Sequence, residues 1–120
     1  MVIRQVLVFY KTDKGHCPVA EFLDSLPPKV AQKVTWVLKL LRELDMVPTQ
    51  YFKKLSTTDG IWECRMVFSG NTYRILCFFH GSSRLVLTHG FMKKTQKTPG
   101  AEISQAERLK ADYIRRHGRA

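Results

Sequence analysis

Hydrophobic positions recur every three or four residues through the first third of the chain and every second residue from Ile61 onward. That change of period predicts where helices give way to strands. Residues 2–10, "VIRQVLVFY", hold β-branched and aromatic side chains without Gly or Pro and predict a first strand. In "CPVAEFLDSL", Val19, Phe22, Leu23 and Leu26 fall at helical spacing behind Pro18, which suits a first helical turn. After Pro27 and Pro28, the residues Val30, Val34, Val37, Leu38, Leu41 and Leu44 form one apolar stripe, on a helix expected to stop before Pro48. Three strands are predicted at 61–68, 72–80 and 84–91, and a last helix near Ser104, where Ser104 and Glu107 have capping-box spacing, through "AERLKADYIRR". The order is strand, helix, helix, three-stranded antiparallel meander, helix. This is an α+β arrangement.

The meander carries face information, because opposed residues on antiparallel strands share a face. A two-residue loop at Gly70-Asn71 pairs Arg65 with Leu76 and Val67 with Arg74. Trp62, Cys64, Met66, Phe68, Tyr73, Ile75, Cys77 and Phe79 then form an apolar face for two helices to cover, with Arg65 and Arg74 on the other. A second two-residue loop at Gly81-Ser82 would set His89 across from Arg74; a loop lengthened through Ser83 would turn His89 over, and alternation along 84–91 is too weak to choose. The same open face would show Leu76, Phe78, Leu85 and Leu87, an apolar patch to be covered by the last helix or a protein partner.

The 120 residues suffice for a single domain spanning 1–120. Lys and Arg number 20 against 10 Asp and Glu, a formal charge of +10 that favours polyanionic partners, nucleic acid first. No apolar run approaches the roughly 20 residues of a membrane span. The first residues read as a strand, not a signal peptide, so a cytoplasmic location is expected. Cys17, Cys64 and Cys77 lack C-x-x-C spacing and are expected as free thiols. His16, His80 and His117 show no ligand spacing, so neither a metal nor a cofactor is expected. Lys93, Lys94 and Lys97 leave the last strand beside the arginine face, and Lys53 and Lys54 approach from the loop before Ile61, a concentration of charge suited to a phosphodiester backbone.

The segments "KKLSTTDGIWECR", "GNTYRILCFF" and "LTHGFMKKTQKTP" resemble, in order and spacing, the RelE/ParE superfamily of toxins from type II toxin–antitoxin modules. The likeness is closest to the HigB-like, phage-derived Gp49-like branch and strongest over residues 50–115. Cys64 stands where that family commonly has Leu, a packing difference. The resemblance implies a small RelE-like ribonuclease-toxin fold. It also implies a metal-free endoribonuclease (mRNA interferase) that cuts mRNA on the translating ribosome, held silent by a cognate antitoxin that commonly carries a helix-turn-helix domain. Metal-free RNA cleavage needs the 2′-hydroxyl deprotonated, charge on phosphorus stabilised and the 5′-oxygen protonated. Arg65 and Arg74 suit the second task, His89 suits acid or base work, and Lys93 or Lys94 can support either step. Lys53, Lys54 and Lys97 are candidates for binding RNA. A gyrase-poisoning ParE-like toxin and a non-catalytic RNA or ribosome binder stand as the alternatives.

Overall fold

A computed structural model describes residues 6–93 and 97–119. Eight elements follow in order: β1 (Val6–Phe9), α1 (Pro18–Asp24), α2 (Pro28–Glu43), β2 (Phe52–Lys54), β3 (Trp62–Phe68), β4 (Asn71–His80), β5 (Arg84–Lys93) and α3 (Gly100–His117). The strands form one mixed sheet in the order β1-β5-β4-β3-β2, with β1 parallel to β5 and the other neighbours antiparallel. The α+β class and the helix–helix–meander–helix order are as expected. The strand count is five where the sequence pattern gives four, because Lys53 and Lys54 lie in the short edge strand β2 instead of a loop.

Helices cover both faces of the sheet. On one, the α2 stripe of Val30, Val34, Val37, Leu38 and Leu41 packs with Val19 of α1 against Cys64, Met66, Tyr73, Ile75, Cys77, Leu85 and Leu87. Trp62, Phe68 and Phe79 border this core, so the apolar face read from alternation is present in full. On the other, Leu76, Phe78 and Val86 pack with Ala106 and Tyr113 of α3, Tyr10, Leu55, Ile61 and Phe91. The patch expected to need a cover is thus covered by α3, and Leu85 and Leu87 belong to the opposite core.

That exchange follows from the hairpins. The first loop is Ser69-Gly70, with Phe68 facing Asn71, and both loop residues have positive φ (51° and 79°), the pair that a type I′ turn requires. The register differs from the expected one by two residues, so every side chain keeps its face and Arg65 lies directly across from Arg74. The second loop has three residues, with His80 facing Arg84. Alone this would turn His89 to the α1/α2 face, but a bulge opposite Leu76 and Cys77 inserts Thr88 and returns His89, across from Leu76, to the α3 face. The Thr88 hydroxyl donates to the Leu76 carbonyl at 2.8 Å, so the extra residue is buried without losing a hydrogen-bond partner.

Helix α3 starts at Gly100, one turn before the expected capping box; Pro99 precedes it and Ser104 lies inside it. Its other end is fastened to β1 by Asp112, which accepts from Tyr10 Oη at 2.6 Å and from Arg116 Nε at 3.0 Å, while Arg116 also donates to the Lys11 carbonyl. The Tyr10 hydrogen bond, reinforced by Arg116 and Arg115, holds the Asp112 carboxyl down at about 2.

Gly90 is fixed by a close approach. A Cβ there would collide with the Phe22 ring of α1, which packs against the first core. Gly90→Ala is therefore expected to destabilise the protein by about 1–3 kcal/mol in urea unfolding. Pairing it with Phe22→Leu should recover part of the loss; a Gly90→Ala protein as stable as the parent would contradict this packing.

Candidate nucleic-acid interface

The face that carries α3 continues beyond that helix's N-terminal end, and the strand registers arrange its side chains in rows. One row runs Lys53, Glu63, Leu76, His89 across β2, β3, β4 and β5; the next runs Arg65, Arg74, Phe91; a third runs Val67, Thr72, Lys93. Arg65, Arg74, His89 and Lys93 are thus brought to one face: the arginines by the alternation that predicts it, His89 by the longer loop and the bulge, and Lys93 as the last residue of β5. Lys94 lies outside the described residues.

Depth separates these residues. Arg74 is fully buried, which overturns its expected position on an open strand face. Glu63, 1% exposed, places its Oε2 3.8 Å from Arg74 Nε and accepts from the Thr98 hydroxyl just before α3. A buried carboxylate needs such a cation and donor to offset its lost hydration. Arg65 is half-buried, its backbone N–H held by the Tyr51 carbonyl at 2.8 Å. Opposed positions in a ladder have Cβ atoms only about 5 Å apart, where like charges repel. The Arg65–Arg74 pair therefore concentrates positive charge at one spot, with Glu63 compensating on the Arg74 side.

His89 is 5% exposed and lies between two oxygens: Nδ1 is 3.2 Å from Thr88 Oγ1, and Nε2 is 3.2 Å from Glu102 Oε1 in the first turn of α3. Its ring is stacked near Phe91, with centroids 5.8 Å apart. Burial pushes the histidine below its ordinary range, opposed by the hydrogen bond and charge of Glu102 and assisted by Arg108. Glu102 was not read from the sequence as part of this group. Acidic residues favour a first helical turn, but only the true start of α3 makes Glu102 one.

The lysines expected to bind RNA are on the surface. A cleft of about 280 Å³ brings Lys53, Lys54 and Lys97 together with Ser56, Thr57 and Thr98. Lys93 ends β5, exposed. Among the described residues no group of three His, Cys, Asp or Glu side chains is placed to hold a metal ion. Burial pushes the Cys64 and Cys77 thiols well above their ordinary range, which makes them packed hydrophobes and poor nucleophiles. No described helix is long and apolar enough to cross a membrane.

The mixed sheet, the α3 cover and the basic side chains on the α3 face define a small, strongly basic α+β protein. Residues 21–111 match the family described as "Phage derived protein Gp49-like (DUF891)", and the chain belongs to that family, a branch of the RelE/HigB-like toxins. It is thereby a toxin-type member of toxin–antitoxin modules, for which a cognate antitoxin is the implied partner. Comparison with the curated proteins finds no match.

Two outcomes test this geometry. Arg74→Ala removes the buried cation beside Glu63 and is expected to lower stability by about 3–5 kcal/mol, whereas Arg65→Ala should cost less than about 1 kcal/mol. Equal chemical-denaturation midpoints for the two variants would overturn the assignment of depth. The lowered His89 value means that the native protein binds fewer protons than the unfolded chain as pH drops through the ordinary histidine range. Stability from this group is therefore present above about pH 6.5 and lost as pH falls through the interval below it. His89→Gln should flatten that part of the stability–pH curve; an unchanged curve would assign the dependence elsewhere.

Proposed function

We propose that the protein is a metal-free endoribonuclease that cuts mRNA, acting on the translating ribosome, and that its antitoxin silences it. The observation that carries the reading is the opposition of Arg65 and Arg74 on adjacent strands beside His89 and Lys93. Two arginines at opposed ladder positions concentrate positive charge of the kind that suits a phosphodiester. Arg65, half-buried, contacts the scissile phosphate and stabilises charge as the 2′-oxygen bonds to phosphorus and the 5′-oxygen leaves. Arg74, buried at the opposed ladder position beside Glu63, adds positive charge from within the protein. Lys93 steadies the same phosphate from the strand end, and Lys94, assigned by the family pattern, adds charge there. His89, with Glu102 behind it, serves one of the two proton transfers, removing the 2′-hydroxyl proton or delivering one to the 5′-oxygen. Lys53, Lys54 and Lys97 hold the flanking backbone.

The burial of Arg74 and His89 favours a second reading, in which the face binds RNA or the ribosome without cutting it. Message integrity separates the two. In a translating extract the protein should cut mRNA at mapped positions, and Arg65→Ala should slow cutting by about a hundredfold or more while its thermal melt is unchanged. Arg65→Lys should recover little, because an ammonium cannot grip phosphate bidentately. Translation arrest with intact messages would establish the binding reading in place of catalysis.

A further inference from the structure

We propose that the β2 edge carries a single-stranded RNA track, with one nucleobase seated in an aromatic cleft on the α2 side of the sheet. The proposal takes its ligand from the RNA-cutting reading and assigns that substrate a second contact region, away from the arginine pair. Successive strand residues point to opposite faces, so Lys53, paired with Glu63, belongs to the α3 side, and Lys54, paired with Trp62, to the α2 side. Each lysine lines clefts on both sides of the strand. One is the basic cleft already described, lined by polar side chains and Lys97. The other, about 480 Å³, is lined by Met46, Phe52, Trp62 and Phe79 together with the two lysines and one acid, Asp45.

The second cleft has the chemistry of a base-stacking platform. Phe52 and Trp62 are stacked with centroids 4.7 Å apart, and Phe79 stands edge-on to both, at 6.1 and 5.4 Å. All three rings are only partly buried, and Met46 beside them is 88% exposed. The volume falls within the range of about 300–1,000 Å³ typical of small-ligand sites. Single-stranded nucleic acid is held by this combination, aromatic faces for bases and a cationic groove for the backbone. A strand crossing the β2 edge uses both clefts at once, its phosphates on Lys53 and Lys54 and one base among the rings. An apolar protein segment would fill the aromatic cleft but gain nothing from the polar basic one across the strand. The charge of +10 and the lysine pair at the crossing point favour RNA over such a segment.

The chain has two tryptophans, so Trp36→Phe leaves Trp62 as the sole indole reporter. The probe is an uncleavable 2′-O-methyl RNA of about twelve nucleotides, within the site sizes of single-strand binders. Tryptophan emission should be quenched saturably along the same curve as the anisotropy of the labelled RNA. Met46→Glu, at an exposed position where folding is not at risk, should weaken binding about tenfold and reduce the quench. Lys54→Ala should lower the salt dependence by about one unit of slope. No RNA binding, binding with Trp62 emission unchanged, or full affinity in Met46→Glu would each overturn the proposal. If Met46→Glu escapes neutralisation by the antitoxin but binds RNA fully, the cleft is a protein-docking surface instead. Message cutting by the parent chain, measured in parallel, keeps the two readings apart. Cutting with a silent Trp62 rejects the cleft alone, and a quenched Trp62 without cutting rejects the nuclease alone.

Discussion

A carboxylate buried inside a protein needs close partners to offset its lost hydration, and Glu63 is such a group. Its partners come from two other parts of the chain: Arg74 from β4 and Thr98 from the entry to α3. Satisfying Glu63 therefore requires the β3–β4 register and the position of α3 at once. The same requirement places Arg74 under the surface and leaves Arg65, its opposed neighbour, as the guanidinium nearer to solvent.

The second requirement is a sheet buried on both sides whose last long strand must still present His89. Alternation alone would dedicate one face of β5 to each helix layer through its whole length. The Thr88 bulge breaks that rule once: Val86 packs under α3 before it, and His89 and Phe91 lie on that same side after it. Gly90, between them, lets Phe22 of α1 come into contact from the opposite face. The His-Gly-Phe run thus combines one residue for the site, one for backbone approach and one for packing. Glu102 then couples His89 to α3, so the helix that completes the second core also opposes part of the lowering that burial imposes on this histidine.

These particulars explain what the sequence could and could not disclose. The eight-residue apolar face of β3 and β4 was legible because polar residues alternate with it, and a two-residue error in register leaves parity untouched. In β5 both faces are buried, so alternation vanishes and the bulge leaves no periodic trace; His89 reaches its expected face through a longer loop and a bulge whose effects cancel. The strand β2 is three residues long and two of them are lysines, too short and too polar for a pattern. The burial of Arg74 was hidden because its compensating acid sits on another strand, displaced along the ladder. Ser104 offered a plausible cap, but α3 starts one turn earlier behind Pro99, which is why Glu102 went unread.

The proposed cleavage uses side chains alone, with the substrate's own 2′-hydroxyl as nucleophile. The chemistry of the cut ends tests this most directly. Messages cut in the presence of a chelator should carry a 5′-hydroxyl on the downstream fragment and a 2′,3′-cyclic or 3′-phosphate on the upstream one. A single 2′-deoxy nucleotide at the mapped position should block the cut. Downstream fragments bearing a 5′-phosphate, or cutting that survives the 2′-deoxy substitution, would contradict the account.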